Sequence, residues 1–160
     1  MKFSHRLRYD ASPADVHAML TDPAFRKKVC DAMHASRRDV TVDPSGAGVS
    51  VVVEQTQPAR GIPSFAKRFV GDEIEIVQRE SWADGTSARL TVELPGKPAQ
   101  FSGDLALTPD GDGTVEAVTG DVSVKVPLIG GKLEGLVGDL LQSALKAEER
   151  VGRTWLAGER

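Results

Sequence analysis

Hydrophobic and polar residues alternate from Lys2 to Tyr9: Phe3, His5, Leu7 and Tyr9 share one face, Lys2, Ser4, Arg6 and Arg8 the other. Period two with a basic side predicts a half-solvated strand. Two helix starts follow at once. In Ser12-Pro13-Ala14-Asp15 the serine caps, the proline suits the first helical position and the aspartate favours the positive helix end. Val16, Met19 and Leu20 form the apolar side of that short helix. Asp22-Pro23 repeats the signal and predicts a second helix running to about Ala35, with hardly any linker between the two.

From Arg37 the texture becomes that of strands. Val40 and Val42 alternate with charged residues, Pro44-Ser45-Gly46-Ala47-Gly48 supplies a turn, and Val49 to Thr56 is rich in β-branched residues. Pro58-Ala59-Arg60-Gly61-Ile62-Pro63 breaks the run, and Ser64 to Val70 reads equally as a short helix or a loop. Strands are predicted at about Glu73–Trp82, Ser87–Leu94, Ala99–Thr108 and Thr114–Val126. Ala83-Asp84-Gly85-Thr86 and Asp110-Gly111-Asp112-Gly113 join them as hairpins. Nothing in this region has the length of a crossover helix, so the sheet is predicted to be antiparallel.

Pro127-Leu128-Ile129-Gly130-Gly131 ends the strand pattern. Leu133, Leu136, Val137, Leu140, Leu141, Ala144, Leu145, Val151 and Trp155 then recur at three- and four-residue spacing. This is the mark of a long amphipathic helix. Gly130, Gly131, Gly135 and Gly138 crowd its first turns. Since glycine weakens a helix by about 1 kcal/mol relative to alanine, they signal close packing, mobility or a portal, or simply a frayed start.

The chain has 160 residues, 40% hydrophobic and 27% charged, which predicts one domain spanning 1–160 with a core of ordinary size. A formal charge of −3 argues against nucleic acid as a partner. Arg26-Lys27-Lys28 and Arg37-Arg38 read as solvated local charge. Cys30 is the only cysteine, in keeping with a reducing cytoplasm and a buried, inert thiol. No apolar run is long enough for membrane insertion, and Met1 to Arg6 holds no apolar signal core, so a cytoplasmic protein is expected. No His or Cys spacing suits a metal, and neither a phosphate-binding glycine loop nor a dinucleotide fingerprint occurs, so no cofactor is expected.

The order of one strand, two short helices, six strands and one long helix resembles the START-like, or helix-grip, superfamily (SRPBCC). Its local marks here are Ser12-Pro13-Ala14-Asp15-Val16, Thr21-Asp22-Pro23-Ala24-Phe25 and the Pro127-to-Gly131 approach to the last helix. The combination is most similar to an uncharacterised actinobacterial branch of that superfamily. The resemblance implies an α+β fold in which a curved seven-stranded antiparallel sheet grips the C-terminal helix. It also implies a space between them for a hydrophobic small molecule, such as a lipid, isoprenoid or polyketide-like compound. No shared catalytic motif comes with it.

The strand parities independently supply an apolar lining for a two-layer interior. Ile76, Leu90, Val92, Leu105, Leu133, Val137 and Leu141 are candidate cavity residues, with Tyr9 and Trp82 beside them. Gln78 and Glu80 share a face with Ile76 and Trp82 and are candidate polar anchors, or else residues of a wet strand end. His5 is either an inward acid–base group or an ordinary core or rim residue; His17 and His34 are expected at the surface. Ile62, Phe65, Gly130, Gly131 and Gly135 are candidate portal residues. A filled core stays open as an alternative, although an aromatic content of only 5% leaves few large side chains to fill it. Three functions follow: a carrier or sensor, an aromatase- or cyclase-type enzyme using His5, Tyr9, Gln78 and Glu80, or a protein-interaction module.

Overall fold

A computed structural model describes residues 1–160. The chain runs β1 (Lys2–Tyr9), α1 (Pro13–Leu20), α2 (Pro23–Ala32), β2 (Arg37–Ser45), β3 (Gly48–Pro58), α3 (Ser64–Val70), β4 (Glu73–Trp82), β5 (Ser87–Glu93), β6 (Ala99–Asp110), β7 (Gly113–Val124) and α4 (Gly130–Leu156). The seven strands form one antiparallel sheet in the order β1-β7-β6-β5-β4-β3-β2. β1 and β2 are therefore its two edges, and α1 and α2 carry the chain from one to the other. No helix is long and apolar enough to cross a membrane.

Local chemistry sets these boundaries. Ser12 Oγ accepts from the Asp15 backbone N–H at 3.2 Å and Asp22 Oδ1 from that of Ala24 at 2.9 Å, which caps α1 and α2. α2 stops at Ala32, about a turn before the predicted Ala35, because His34 takes a left-handed φ of 62°. The Met33 N–H closes the last turn onto Val29 and Cys30. In the β4–β5 hairpin, Asp84 Oδ1 accepts from the backbone N–H groups of Thr86 at 2.7 Å and Ser87 at 3.0 Å, and these bonds hold its carboxyl below the usual pKa. The ambiguous segment is helical: Pro63 starts α3, and Gly71 ends it at a φ of 78°.

α4 has 27 residues, about 40 Å at the usual rise. Leu133, Val137, Leu141, Leu145, Glu148, Gly152 and Trp155 line one stripe of it at three- and four-residue steps. The helix packs on β1 and β7 and is braced by α1 and α2. Two apolar clusters result. The larger joins Leu7, Tyr9, Met19, Phe25, Trp82, Phe101, Leu145 and Trp155; the smaller, beneath α3, joins Ile62, Ala66, Ile74, Val124 and Leu133. Val137 touches both.

The α4 glycines have different roles. A Cβ at Gly152 would stand 2.6 Å from Tyr9 Cε1, and one at Gly130 would stand 2.8 Å from the Val124 carbonyl oxygen. Gly138 is buried against the tip of the Met1 side chain, whereas Gly131 and Gly135 face open space. Gly152→Val is accordingly expected to destabilise the fold by about 1–3 kcal/mol through overpacking. Gly135→Ala is expected to stabilise it by about 0.5–1 kcal/mol through helix propensity. Urea unfolding of both variants checks the pair, and a gain for Gly152→Val would show that Tyr9 does not lie tightly beneath the helix.

Candidate functional site

Alternation along β4 turns Ile74, Ile76, Gln78, Glu80 and Trp82 toward α4, and the register across the sheet places Leu90 of β5 opposite Glu80 and Val92 opposite Gln78. Glu80 is 2% exposed and lies within an ion-pair network. Arg26 Nη2 donates to both its oxygens, at 2.6 and 2.8 Å, and Arg26 Nε donates to the Leu20 carbonyl at 2.7 Å. Trp82 Nε1 donates to Glu80 Oε1 at 3.0 Å, and Gln78 Nε2 donates to Oε2 at 2.7 Å. Each Glu80 oxygen thus accepts two bonds, and this half of the cluster is saturated.

The other half is not. Glu116 of β7 and Glu148 of α4 are also buried, so three carboxyl groups share Arg26 as their one buried cation. Glu148 Oε1 stands 3.9 Å from Arg26 Nη1, within ion-pair range but too far to accept a hydrogen bond. Both Glu116 oxygens, Glu148 Oε1 and the Tyr9 hydroxyl lack a hydrogen-bond partner. A buried polar group left so costs about 1–3 kcal/mol. Burial pushes the Glu116 carboxyl well above its ordinary value, with Glu148 and Glu80 adding to the effect and Arg26 opposing it. Burial likewise raises Glu148 to about 7 against the pull of Arg26, and raises the Tyr9 phenol so that it stays neutral.

The remaining candidates fall into distinct places. Leu90, Leu105 and Leu133 are fully buried. Ile76, Gln78, Val92, Val137 and Leu141 are only half-buried, although their strand parity and helix stripe turn them toward the space between sheet and helix. His5, opposite Val118 on the inward face of β1, is half-buried too. Ile62 is buried in the smaller cluster, while Phe65 is exposed with Lys132 Nζ 5.9 Å from its ring centroid. Two residues before Gly130, Leu128 is fully exposed at a φ of 71°. Two grooves, of about 460 and 290 Å³, open side by side around Glu75 and Pro95. The first reaches Ile76 and is lined mostly by polar side chains; the second reaches Ile74 and Leu94.

Three readings of the sequence need correction. Arg26 does not belong to a solvated basic patch: with Phe25 and Cys30 it lies on the buried side of α2. His17 is half-buried, its ring edge-on to Trp82 with centroids 4.9 Å apart, and burial lowers its pKa. His34 lies beyond the end of α2 rather than on it. Cys30 is 1% exposed, and burial pushes its thiol up to about 11, so it is a poor nucleophile at neutral pH. Glu116 and Glu148 were not singled out by sequence, yet both carried a signal. Glu116 shares strand parity with Val118, Val122 and Val124, and Glu148 falls in the α4 stripe between Leu145 and Trp155.

Comparison with known proteins agrees with this architecture. An uncharacterized protein of Mycobacterium tuberculosis, Rv0481c, is 24% identical over 114 residues, which is 68% of this chain and 66% of that protein's length. The crystal structure of TTHA0849 from Thermus thermophilus superposes with a TM-score of 0.65 at 21% identity, covering 94% of this chain and 96% of its own. The di-domain aromatase/cyclase StfQ of the steffimycin biosynthetic pathway gives a TM-score of 0.65 at 14% identity, covering 96% of this chain and 49% of its own. At such identities the likeness is one of fold. The sequence profile of the protein family of unknown function DUF2505 matches residues 4–156, and the chain belongs to that family, a member with a helix-grip fold.

Proposed function

We propose that the protein binds a hydrophobic small molecule between the sheet and α4, acting as a carrier or sensor in the cytoplasm. The observation that carries this reading is the half-burial of Ile76, Val92, Val137 and Leu141. A close-packed two-layer core leaves such inward apolar side chains dry; here they border a seam that water reaches. Burying about 300 Å² of apolar ligand surface there would contribute roughly 7 kcal/mol before the costs of association. The exposed Phe65 and Leu128, with the smaller groove between Ile74 and Val70 of α3, support ingress at the α3 end.

Native mass spectrometry of gently purified protein is expected to show a retained apolar compound, and anilinonaphthalene sulfonate is expected to bind in the micromolar range. Leu141→Arg, which places a guanidinium in the seam where it can still reach water, is expected to weaken probe binding at least tenfold with the far-UV circular dichroism unchanged. No retained compound together with no probe uptake by the folded protein would sink the reading.

An enzyme of aromatase or cyclase type is the second reading, favoured by the buried Glu116 and Glu148 carboxyls with raised pKa values. Turnover that survives Glu116→Gln and Glu148→Gln would remove those groups from any such mechanism.

A further inference from the structure

We infer that Tyr9, Glu116 and Glu148 form a recognition site for a protonated primary amine at the head of the bound hydrophobic molecule. This rests on the seam being a binding site. The cluster divides into a complete half and an incomplete one. Every bond that Glu80 can readily accept is made, by Arg26, Trp82 and Gln78. On the other side, four oxygens stand without partners: both of Glu116, Oε1 of Glu148 and the Tyr9 hydroxyl. Glu116 and Tyr9 are 0% exposed and Glu148 5%, so bulk water does not serve them. This half holds the phenol proton and the carboxylic acid protons as donors, Arg26 Nη1 stands 3.9 Å from Glu148 Oε1, beyond hydrogen-bond range, and acceptor positions still outnumber the donors.

The chemistry of a complementary head follows from that imbalance. An ammonium brings three donors, no acceptor and one positive charge, and so supplies both what the acceptors lack and what Arg26 alone does not balance. A hydroxyl head brings one donor and no charge. A carboxylate or phosphate head would add a fourth acidic group opposite a single guanidinium and bring no donor.

Geometry connects this site to the seam. Glu148 lies on the same α4 stripe as Leu141 and Val137, seven and eleven residues away, or about 10 and 16 Å along the axis. An alkyl chain laid along the stripe would have its head at Glu148 and its tail in the seam. Leu145, buried between Leu141 and Glu148 on that stripe, must turn aside as the head enters. Gln78, half-buried and bonded to Glu80, borders the seam from the sheet.

The test compares dodecylamine, dodecanol and dodecanoate, each below its micelle concentration at pH 7, by displacement of the anilinonaphthalene probe and by isothermal titration. The amine is expected to bind the wild-type protein at least tenfold more tightly than the alcohol, and dodecanoate most weakly. Glu116→Gln and Glu148→Gln are expected to cost the amine about tenfold and to narrow its preference over the alcohol correspondingly, with far-UV circular dichroism reporting that each variant is folded. Equal binding of the three heads would overturn the amine site and leave the seam standing. So would an amine preference that survives both substitutions, since it would then come from the net surface charge. If none of the three binds, the seam reading itself falls and the head site with it.

Discussion

Arg26→Met is expected to destabilise the protein by about 3–5 kcal/mol, the usual cost of leaving a buried charge without its partner. Arg26 is 5% exposed and holds two oxygens of Glu80 and the Leu20 carbonyl, while Glu148 lies at ion-pair distance. The methionine fills similar volume, so lost packing contributes little and the measured cost reports the electrostatics. The double variant Arg26→Met/Glu80→Met is expected to recover a large part of the loss, because it removes the stranded carboxylate together with its cation. Urea midpoints of the wild type, both single variants and the double variant give the coupling. A single-variant loss below about 1 kcal/mol would mean that the pair is solvated and behaves as a surface ion pair.

The second large effect is a fall in stability as pH rises. Glu148 titrates at about 7 in the folded protein against an ordinary 4.5, so between those values the folded state holds more protons than the unfolded one. Stability is then full below pH 4.5, declines as pH rises to about 7 and is level above it as far as Glu148 is concerned. The shift corresponds to about 3 kcal/mol. Glu116, also raised, extends the decline further upward. The charged and titratable groups that bear on these two are Arg26 from α2, Glu80 from β4, Tyr9 from β1 and Glu149 from α4. Arg26 alone opposes the rise. Glu116→Gln keeps the shape of the protonated acid but cannot ionise. It is expected to match the wild type at pH 4.5 and exceed it by about 1–3 kcal/mol at pH 8. Urea midpoints at pH 5, 6, 7 and 8 measure this, and a wild type that grows more stable across that range would contradict the buried cluster.

Much of the scaffold is legible in the chain because it depends on near neighbours. The caps at Ser12 and Asp22, the Asp84 turn and the period-two runs are decided within a few residues, and the elements they predict are present. Alternation along β4 also placed Gln78 and Glu80 on the face of Ile76 and Trp82, which is where they lie. The misreading of Arg26 shows the opposite situation. Beside Lys27 and Lys28 it looks like a surface cation, yet it recurs four residues before Cys30 on the apolar side of α2. Glu148 presents the same difficulty, a carboxyl set into an apolar stripe. A charge at an inward position is locally unfavourable, so composition alone assigns it to solvent; only a partner elsewhere in the chain makes its burial tolerable.

By itself, then, the sequence determined the element order, the antiparallel pairing, the inward faces and the long closing helix. Hydrogen-bond caps, turn chemistry and side-chain periodicity act over a handful of residues, and each leaves its mark in the local pattern. Only the tertiary structure decided that Arg26 meets Glu80 across 54 residues of chain, that Glu116 and Glu148 are left without donors, and that Gly152 makes room for Tyr9. It also decided that α4 leans toward β1 and β7 and leaves Ile76, Val92, Val137 and Leu141 half-covered. Those outcomes depend on how far apart two packed layers stand and which distant side chains fill the interval, quantities set by the whole assembly of elements and by no one of them.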